Sequence, residues 1–199
     1  MKSACIAALA AGSVVAAAFL LDTRAAWSAP ETAAYEADLA HSYVVFRIRH
    51  LGVSWQYGRF NDFTASVEAG DGGDGVRSVA FTVKTESVDT GNPKRDQHLR
   101  TPDFFSAKQF PEITFKSTSV KAGEGGASEV TGDLTLHGVT KSVTAKVVKV
   151  GAADLAQMGY RVGYEAELKV KRSDFGMSKS IGDGSDEVSV TVAVETVRK

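Results

Sequence analysis

Residues 160–171 read YRVGYEAELKVK, and apolar and polar side chains alternate along almost the whole stretch. One face is apolar, whereas the opposite face carries the charged residues Arg161, Glu165, Glu167, Lys169 and Lys171. A period of two predicts a β-strand with one apolar and one wet face. Strands of this kind are typical of antiparallel sheets.

The same alternation recurs along most of the chain. It is found at residues 42–50, 53–57, 63–67, 79–83, 112–121, 130–136, 143–147 and 188–194. About eight mostly long strands favour a closed barrel, because closure removes exposed sheet edges. The sequence therefore predicts an all-β fold, an extended eight-stranded antiparallel barrel. Aromatic residues do not recur at both ends of each strand, which favours apolar side chains inside the barrel over a membrane barrel that presents them to lipid.

One segment near residues 92–110, which contains three phenylalanines, breaks the strand pattern. Asn92-Pro93 and Thr101-Pro102 each place a capping residue before a proline, which is the start signal of a helix. They predict a short helical insert with two helical turns, at residues 94–100 and 103–109.

Three other segments are expected to be irregular. Residues 29–37 are expected to form a loose lead-in, and residues 151–159 a loop. The change of apolar parity after Gly58 predicts a bulge or bend at that glycine.

The first 28 residues have the features of a cleaved export signal. Lys2 precedes an apolar run over residues 4–21, and Ala26-Trp27-Ser28 fits a small-x-small cleavage site. The alternative is a retained membrane anchor. Cleavage after Ser28 leaves residues 29–199 as a single domain and removes Cys5, so disulfides and thiolate sites are excluded. An exported chain without cysteine is expected in the periplasm.

The composition of the whole chain restricts its function. Hydrophobic residues make up 43% and charged residues 24%, which is typical of a globular protein. The net charge is −1, so a nucleic-acid partner is not expected.

The interior of such a barrel is either a filled core or a hydrophobic ligand tunnel. A tunnel is energetically reasonable, because burying ~20 methylenes at ~0.8 kcal/mol each gives roughly 16 kcal/mol before ordering costs. The predicted ligand-binding residues are the apolar-face residues and their neighbours at the insert: Phe46, Ile48, His50, Trp55, Tyr57, Phe81, His98, Phe104, Phe105, Phe115, Leu136, Tyr160, Val162, Tyr164, Leu168, Val190 and Val192.

Several motifs, taken in order, resemble those of the YceI-like family of lipocalin-shaped periplasmic proteins. The main ones are His50-Leu51-Gly52-Val53-Ser54, Arg95-Asp96-Gln97-His98-Leu99, Phe110-Pro111-Glu112-Ile113-Thr114-Phe115, residues 132–141 (GDLTLHGVTK) and Arg172-Ser173-Asp174-Phe175-Gly176-Met177. The resemblance implies a lipocalin-like barrel that binds an isoprenoid lipid, such as ubiquinone or a polyprenyl phosphate. It also implies a homodimer. Contact with the membrane or with respiratory proteins is expected for loading.

Motifs for catalysis and for metal binding are lacking in the sequence. The four histidines do not have a metal-binding spacing, and no G-x-S-x-G motif is present. Catalytic residues, a metal and a cofactor are therefore not predicted. Two alternatives stay open at this point: an enzyme that acts on an isoprenoid or quinone through His50 or His98, and a barrel with a filled core.

Overall fold

The alternating segments pair into one antiparallel sheet. This computed structural model describes residues 31–199, so the predicted export signal at 1–28 lies outside the described residues. One α-helix, Pro93–Leu99 (α1), interrupts the strands. The strands are Thr32–Ala37 (β1), Tyr43–His50 (β2), Ser54–Phe60 (β3), Phe63–Gly70 (β4), Ser78–Lys84 (β5), Val88–Asp89 (β6), Glu112–Ala122 (β7), Ser128–Leu136 (β8), Val139–Leu155 (β9), Gly159–Lys171 (β10) and Glu187–Arg198 (β11).

These strand segments occupy eight positions around a closed barrel. β1 and β2 both pair with β11, at its two ends, so they form one interrupted strand. β4 and β3 pair with β1 and β2, and β5 and β6 pair in turn with β4 and β3. β7 to β11 follow in order, and the β1–β11 pairing closes the ring. The predicted eight-stranded antiparallel barrel is confirmed.

Two of the irregular segments predicted from sequence are in fact strands. β1 lies within the predicted lead-in, where Ala33 and Tyr35 are buried between exposed neighbours. β9 continues through the predicted loop to Leu155 and pairs with the start of β10. Residues 29–37 contain four alanines, and residues 151–159 contain three alanines and two glycines. Such small side chains make the alternation weak in the sequence, although the backbone pairing is regular.

Gly58 does not bend the chain. It lies within β3, and the strand breaks instead at residues 61–62, before β4. A side chain at Gly58 would collide with the ring of Phe46, its cross-strand partner on β2, so this glycine leaves room for that ring on the inner face of the barrel.

The helical insert contains one helix rather than two. Asn92 caps α1 by accepting hydrogen bonds from two backbone amides, and Pro93 begins the helix. Residues 101–109 form turns instead of the second predicted helix. The insert packs onto the barrel through Leu99 and Phe105, whose ring lies 5.5 Å from that of Phe60. None of the described helices has the length and apolar composition to cross a membrane.

The turn at residues 70–75 closes one end of the barrel. The Tyr164 hydroxyl donates a hydrogen bond of 2.8 Å to the Gly73 carbonyl, and Lys149 Nζ donates one of 2.7 Å to the Gly72 carbonyl. Tyr35 and Val162 are fully buried beside this turn. This end of the barrel is therefore a packed core. We call it the closed end.

Candidate functional site

A cavity of about 500 Å³ occupies the half of the barrel away from the closed end. Its wall is formed by inward side chains of β2, β3, β5, β7, β8, β9, β10 and β11 and by the insert. Phe46, Phe115 and Leu168 point inward and are only partly buried. Their exposed surface therefore faces the cavity. Both the volume and the apolar lining are typical of small-molecule pockets.

Most of the residues predicted to bind ligand lie on this wall. They are Phe46, Ile48, His50, Tyr57, Phe81, His98, Phe104, Phe105, Phe115, Leu136, Leu168, Val190 and Val192. Their contact with a ligand stays a prediction. Tyr57 borders the cavity from the edge of the sheet and is 55% exposed, because it pairs with Arg47 on the outer face.

Four of the predicted residues lie elsewhere. Trp55 faces outward, between the side chains of Arg47 and Arg49. Tyr160, Val162 and Tyr164 belong to the closed end rather than to the cavity. Their placement in the tunnel was wrong because apolar alternation marks the inward face of β10 along its whole length, whereas the cavity begins only at Ala166.

Tyr164 is a structural residue of the closed end. It is 3% exposed, and burial raises the pKa of its hydroxyl well above the ordinary value. The neutral hydroxyl donates to the Gly73 carbonyl and so holds the turn against the barrel. A carboxylate at this position would lie in packed core and would damage the fold.

Several cavity residues were absent from the sequence-based prediction. Three of them, Val44, Ala166 and Val188, lie on the same strand face as predicted residues. The alternation of inward and outward side chains is therefore enough to identify them. Met177 and Ile181 come from the loop between β10 and β11, where no periodicity marks them.

Polar groups are concentrated where the insert meets β3. Arg95 of α1 donates hydrogen bonds to Thr90 Oγ1 (2.7 Å), the Thr90 carbonyl (2.8 Å) and Gln56 Oε1 (3.1 Å). Arg95, Gln56, Thr90 and His98 all line the cavity. We call this region, together with His50, the mouth, because His50 and His98 are the exposed members of the polar lining.

A second arginine lies on the cavity wall. Arg172 is buried and donates hydrogen bonds to the Ser185 carbonyl (2.6 Å) and the Met177 carbonyl (3.1 Å). Burial lowers the pKa of its guanidinium, because desolvation disfavours the charged form. It follows Val170 at a spacing of two, so it continues the inward face of β10 and parity could have identified it.

The charged side chains of the cavity lining are both positive. Arg95 and Arg172 line it, and no aspartate or glutamate of residues 31–199 does so. Within the same residues, neither arginine forms an ion pair with a carboxylate. The site can therefore accept an apolar chain and favours a negative or strongly hydrogen-bonding group at the chain's polar end.

His98 at the mouth is held in place by two neighbours in the insert. His98 Nε2 lies 2.9 Å from Asp103 Oδ2, and this hydrogen bond lowers the pKa of the Asp103 carboxyl. His98 also meets the ring of Phe104 edge-on, with the ring centroids 5.0 Å apart. These contacts orient His98 against the insert.

Asp38, His41 and Glu195 converge outside the cavity in a group that could hold a cation. Arg161 already donates hydrogen bonds to Asp38 Oδ2 (2.6 Å) and Glu195 Oε1 (2.5 Å). The bond from Arg161 to Asp38, together with the contact to His41, lowers the pKa of Asp38 to about 2. The guanidinium therefore supplies the positive charge in this cluster.

Comparison with known proteins relates nearly the whole barrel to one group of proteins. The model of the YceI-like domain matches residues 35–196. Protein YceI of Escherichia coli O157:H7 is 43% identical over 159 residues, which cover 80% of this chain and 83% of that protein.

Solved structures share the fold. The crystal structure of Burkholderia cenocepacia BcnA superimposes with a TM-score of 0.68 and 28% identity, covering 80% of this chain and 98% of BcnA. A polyisoprenoid binding domain from Saccharophagus degradans, implicated in plant cell wall breakdown, gives a TM-score of 0.62 at 17% identity, covering 85% of this chain and all of that domain (100%). At that identity the second match establishes the fold only.

Proposed function

The chain belongs to the YceI-like family, and we propose that it binds an isoprenoid lipid in the cavity, as a non-catalytic periplasmic carrier or store. The observation that carries the proposal is the apolar cavity of about 500 Å³ with a polar mouth. The name of the Saccharophagus degradans domain, which shares this barrel, supports the same ligand class.

The shape of the site fits a ligand with an apolar tail and a polar head. The inward faces of the strands offer aliphatic and aromatic side chains without a buried polar group until the mouth is reached, except Arg172. An apolar tail gains free energy there in proportion to the area it buries. The tail is placed toward the closed end and the head group at Arg95 and His98.

Between the two expected head groups, we propose a phosphate rather than a quinone ring. Within residues 31–199 neither arginine of the lining forms an ion pair with a carboxylate, although the charge of Asp186, which lies outside the lining, acts on Arg172. A phosphate accepts charge-assisted hydrogen bonds from arginine, which are about twice as strong as those between neutral groups. A quinone carbonyl also accepts hydrogen bonds from arginine, but it carries no charge and therefore forms no ion pair with the guanidinium.

The first experiment is organic extraction and mass spectrometry of protein purified from a periplasm. A stoichiometric isoprenoid is the expected result. A protein that is empty and takes up neither added quinone nor polyprenyl phosphate contradicts the proposal. A lipid that is chemically altered during incubation contradicts the non-catalytic role.

The head group is tested by calorimetric titration with undecaprenyl phosphate and with undecaprenol, which share one tail. We expect tighter binding of the phosphate, and a smaller difference in Arg95→Gln. Arg77→Gln is the matched control, since Arg77 is exposed near the closed end. Equal affinities for the two lipids in the unchanged protein contradict the phosphate assignment.

A further inference from the structure

The hairpin formed by β2 and β3 carries an unusual outer surface. Residues 31–199 expose ten large hydrophobic side chains, and half of them lie in this hairpin: Tyr43, Leu51, Val53, Trp55 and Tyr57. Scattered exposed apolar residues are normal, but a contiguous group marks an interaction surface. We call the outer side and tip of residues 43–60 the hairpin face.

The hairpin face is also positively charged. Residues 43–60 contain Arg47, Arg49 and Arg59 and no acidic residue, although the chain as a whole has a net charge of −1. The guanidinium carbons of Arg47 and Arg49 lie 4.6 and 5.6 Å from the centroid of the Trp55 ring. Within the described part of the chain, neither of these two arginines pairs with a carboxylate, whereas Arg59 pairs with Asp89. A partner of this face must therefore be both apolar and anionic.

The order of residues along the hairpin matches the depth profile of a membrane surface. Leu51 and Val53 form the tip, and Val53 is 84% exposed. Trp55 and its cross-strand partner Arg49 follow about 7 Å behind, at a rise of ~3.3 Å per residue. Arg47 lies two residues further back, but its guanidinium carbon is 4.6 Å from the centroid of the Trp55 ring. Apolar groups of interfacial proteins enter the bilayer by roughly 5–10 Å, while tryptophan and arginine stay at the level of the head groups.

The inner side of the same hairpin forms part of the cavity wall. Ile48, His50 and Gln56 line the cavity, and the tip packs against Gly182 of the loop that also supplies Ile181. A bilayer that contacts the tip therefore lies beside the mouth. A lipid tail could then pass between bilayer and cavity with little exposure to water, which is favourable because exposed apolar surface raises the free energy.

We propose that the hairpin face docks onto anionic phospholipid membranes and so places the mouth against the bilayer. The role of this docking, which is to bring the mouth to the bilayer for lipid exchange, rests on the proposed function. The docking itself depends only on the outer surface of the hairpin. Two arginines near an anionic surface contribute about 1 kcal/mol each, which is about a 30-fold change in affinity for the pair.

The test uses residues 29–199, because the ring of strands closes within residues 32–198 and BcnA consists almost entirely of the matching region. Trp55 is the single tryptophan in this stretch, so its fluorescence reports on the hairpin. Vesicles of phosphatidylethanolamine with phosphatidylglycerol are compared with vesicles of phosphatidylcholine, by flotation and by emission wavelength. We expect binding to the anionic vesicles, a blue shift of Trp55, and weakening with salt.

Three variants distinguish the contributions of the arginines, of the apolar tip and of exposed apolar residues in general to membrane binding. R47Q/R49Q is expected to bind the anionic vesicles about 30-fold more weakly, and Val53→Asp to lose binding. Val150→Asp is the matched control, because Val150 is 72% exposed on β9 near the closed end. A wild-type protein that does not bind these vesicles overturns the proposal, as does an equal loss in Val150→Asp and the hairpin variants.

Lipid content measured in the same preparations keeps the two proposals apart. A protein that retains isoprenoid but does not float with anionic vesicles refutes the docking alone. A protein that docks through the hairpin face but contains and accepts no isoprenoid refutes the proposed function and leaves the docking intact.

Discussion

Replacing Ala166 by phenylalanine is expected to shorten the cavity from its inner end. Ala166 is the deepest cavity residue of β10, one inward step beyond Tyr164 of the closed end. It faces Val147 and Val192, which also line the cavity. A phenyl ring at this position therefore extends into space that the proposed lipid tail occupies.

The size of the effect follows from the length of the wall. Arg172 lies six residue steps after Ala166, which corresponds to about 20 Å at ~3.3 Å per residue. A ring that fills the first two residue steps excludes about 7 Å, or a third of this length. A bound chain of ~20 methylenes then loses about 7 of them, or roughly 6 kcal/mol at ~0.8 kcal/mol each. This is more than a thousandfold in the dissociation constant.

The assay is a titration of wild-type protein and Ala166→Phe with farnesyl phosphate and with the much longer undecaprenyl phosphate. The long lipid should lose more than a thousandfold in affinity, whereas the short lipid, which needs less depth, should lose far less. Glu167→Phe is the control, because Glu167 is exposed on the outer face of the same strand. Thermal unfolding verifies that both variants are folded.

One outcome would refute the reasoning directly. If folded Ala166→Phe binds the long lipid as tightly as wild type and Glu167→Phe do, the tail does not occupy the inner cavity. The same loss for both lipids would instead indicate a general disturbance of the mouth, so the depth argument would also be wrong.

Two further predictions concern stability. Tyr164→Phe removes the hydroxyl that donates to the Gly73 carbonyl and leaves that carbonyl without its partner. The free energy of unfolding, measured in urea, should therefore fall by about 1–3 kcal/mol, while the lipid content is unchanged. A loss of lipid with unchanged stability contradicts this prediction. The pKa of Asp38 is lowered to about 2 by Arg161, so its stabilising effect is present above pH about 4 and is lost as the pH falls toward about 2. Asp38→Asn should flatten the acid limb of the unfolding curve in this range, and an unchanged slope would show that the pair does not stabilise the fold.

The strand pattern predicted the barrel because the physical cause of alternation is local. Each residue of β10 or β11 faces either the interior or the solvent, so the periodicity of two is recorded directly in the sequence. β1 was not predicted because buried Ala33 has an exposed alanine, Ala34, beside it, so the sequence shows little contrast between the two faces. Its place is set by pairing with β4 and β11, which are distant in sequence.

The limits of the cavity could not be predicted from alternation. Tyr164 and Leu168 lie on the same face of one strand, but only Leu168 borders the cavity. The difference arises from the turn at residues 70–75, which fills the barrel at one end. The Gly- and Asp-rich sequence of this turn does not indicate that it packs inside the barrel. Trp55 was misplaced for another reason, since two arginines stabilise its ring outside the barrel.

The barrel divides stability and binding between its two halves. At the closed end Tyr35, Val162 and Tyr164 fill the interior, so this half supplies a packed core. In the other half Phe46, Phe115 and their neighbours point inward without filling the space between them, so part of their apolar surface stays unburied. A lipid tail in that space would complete the core, and binding should therefore stabilise the folded state by RT ln(1 + [L]/Kd). The same incomplete packing that weakens this half of the barrel is thus the source of its affinity for an apolar chain.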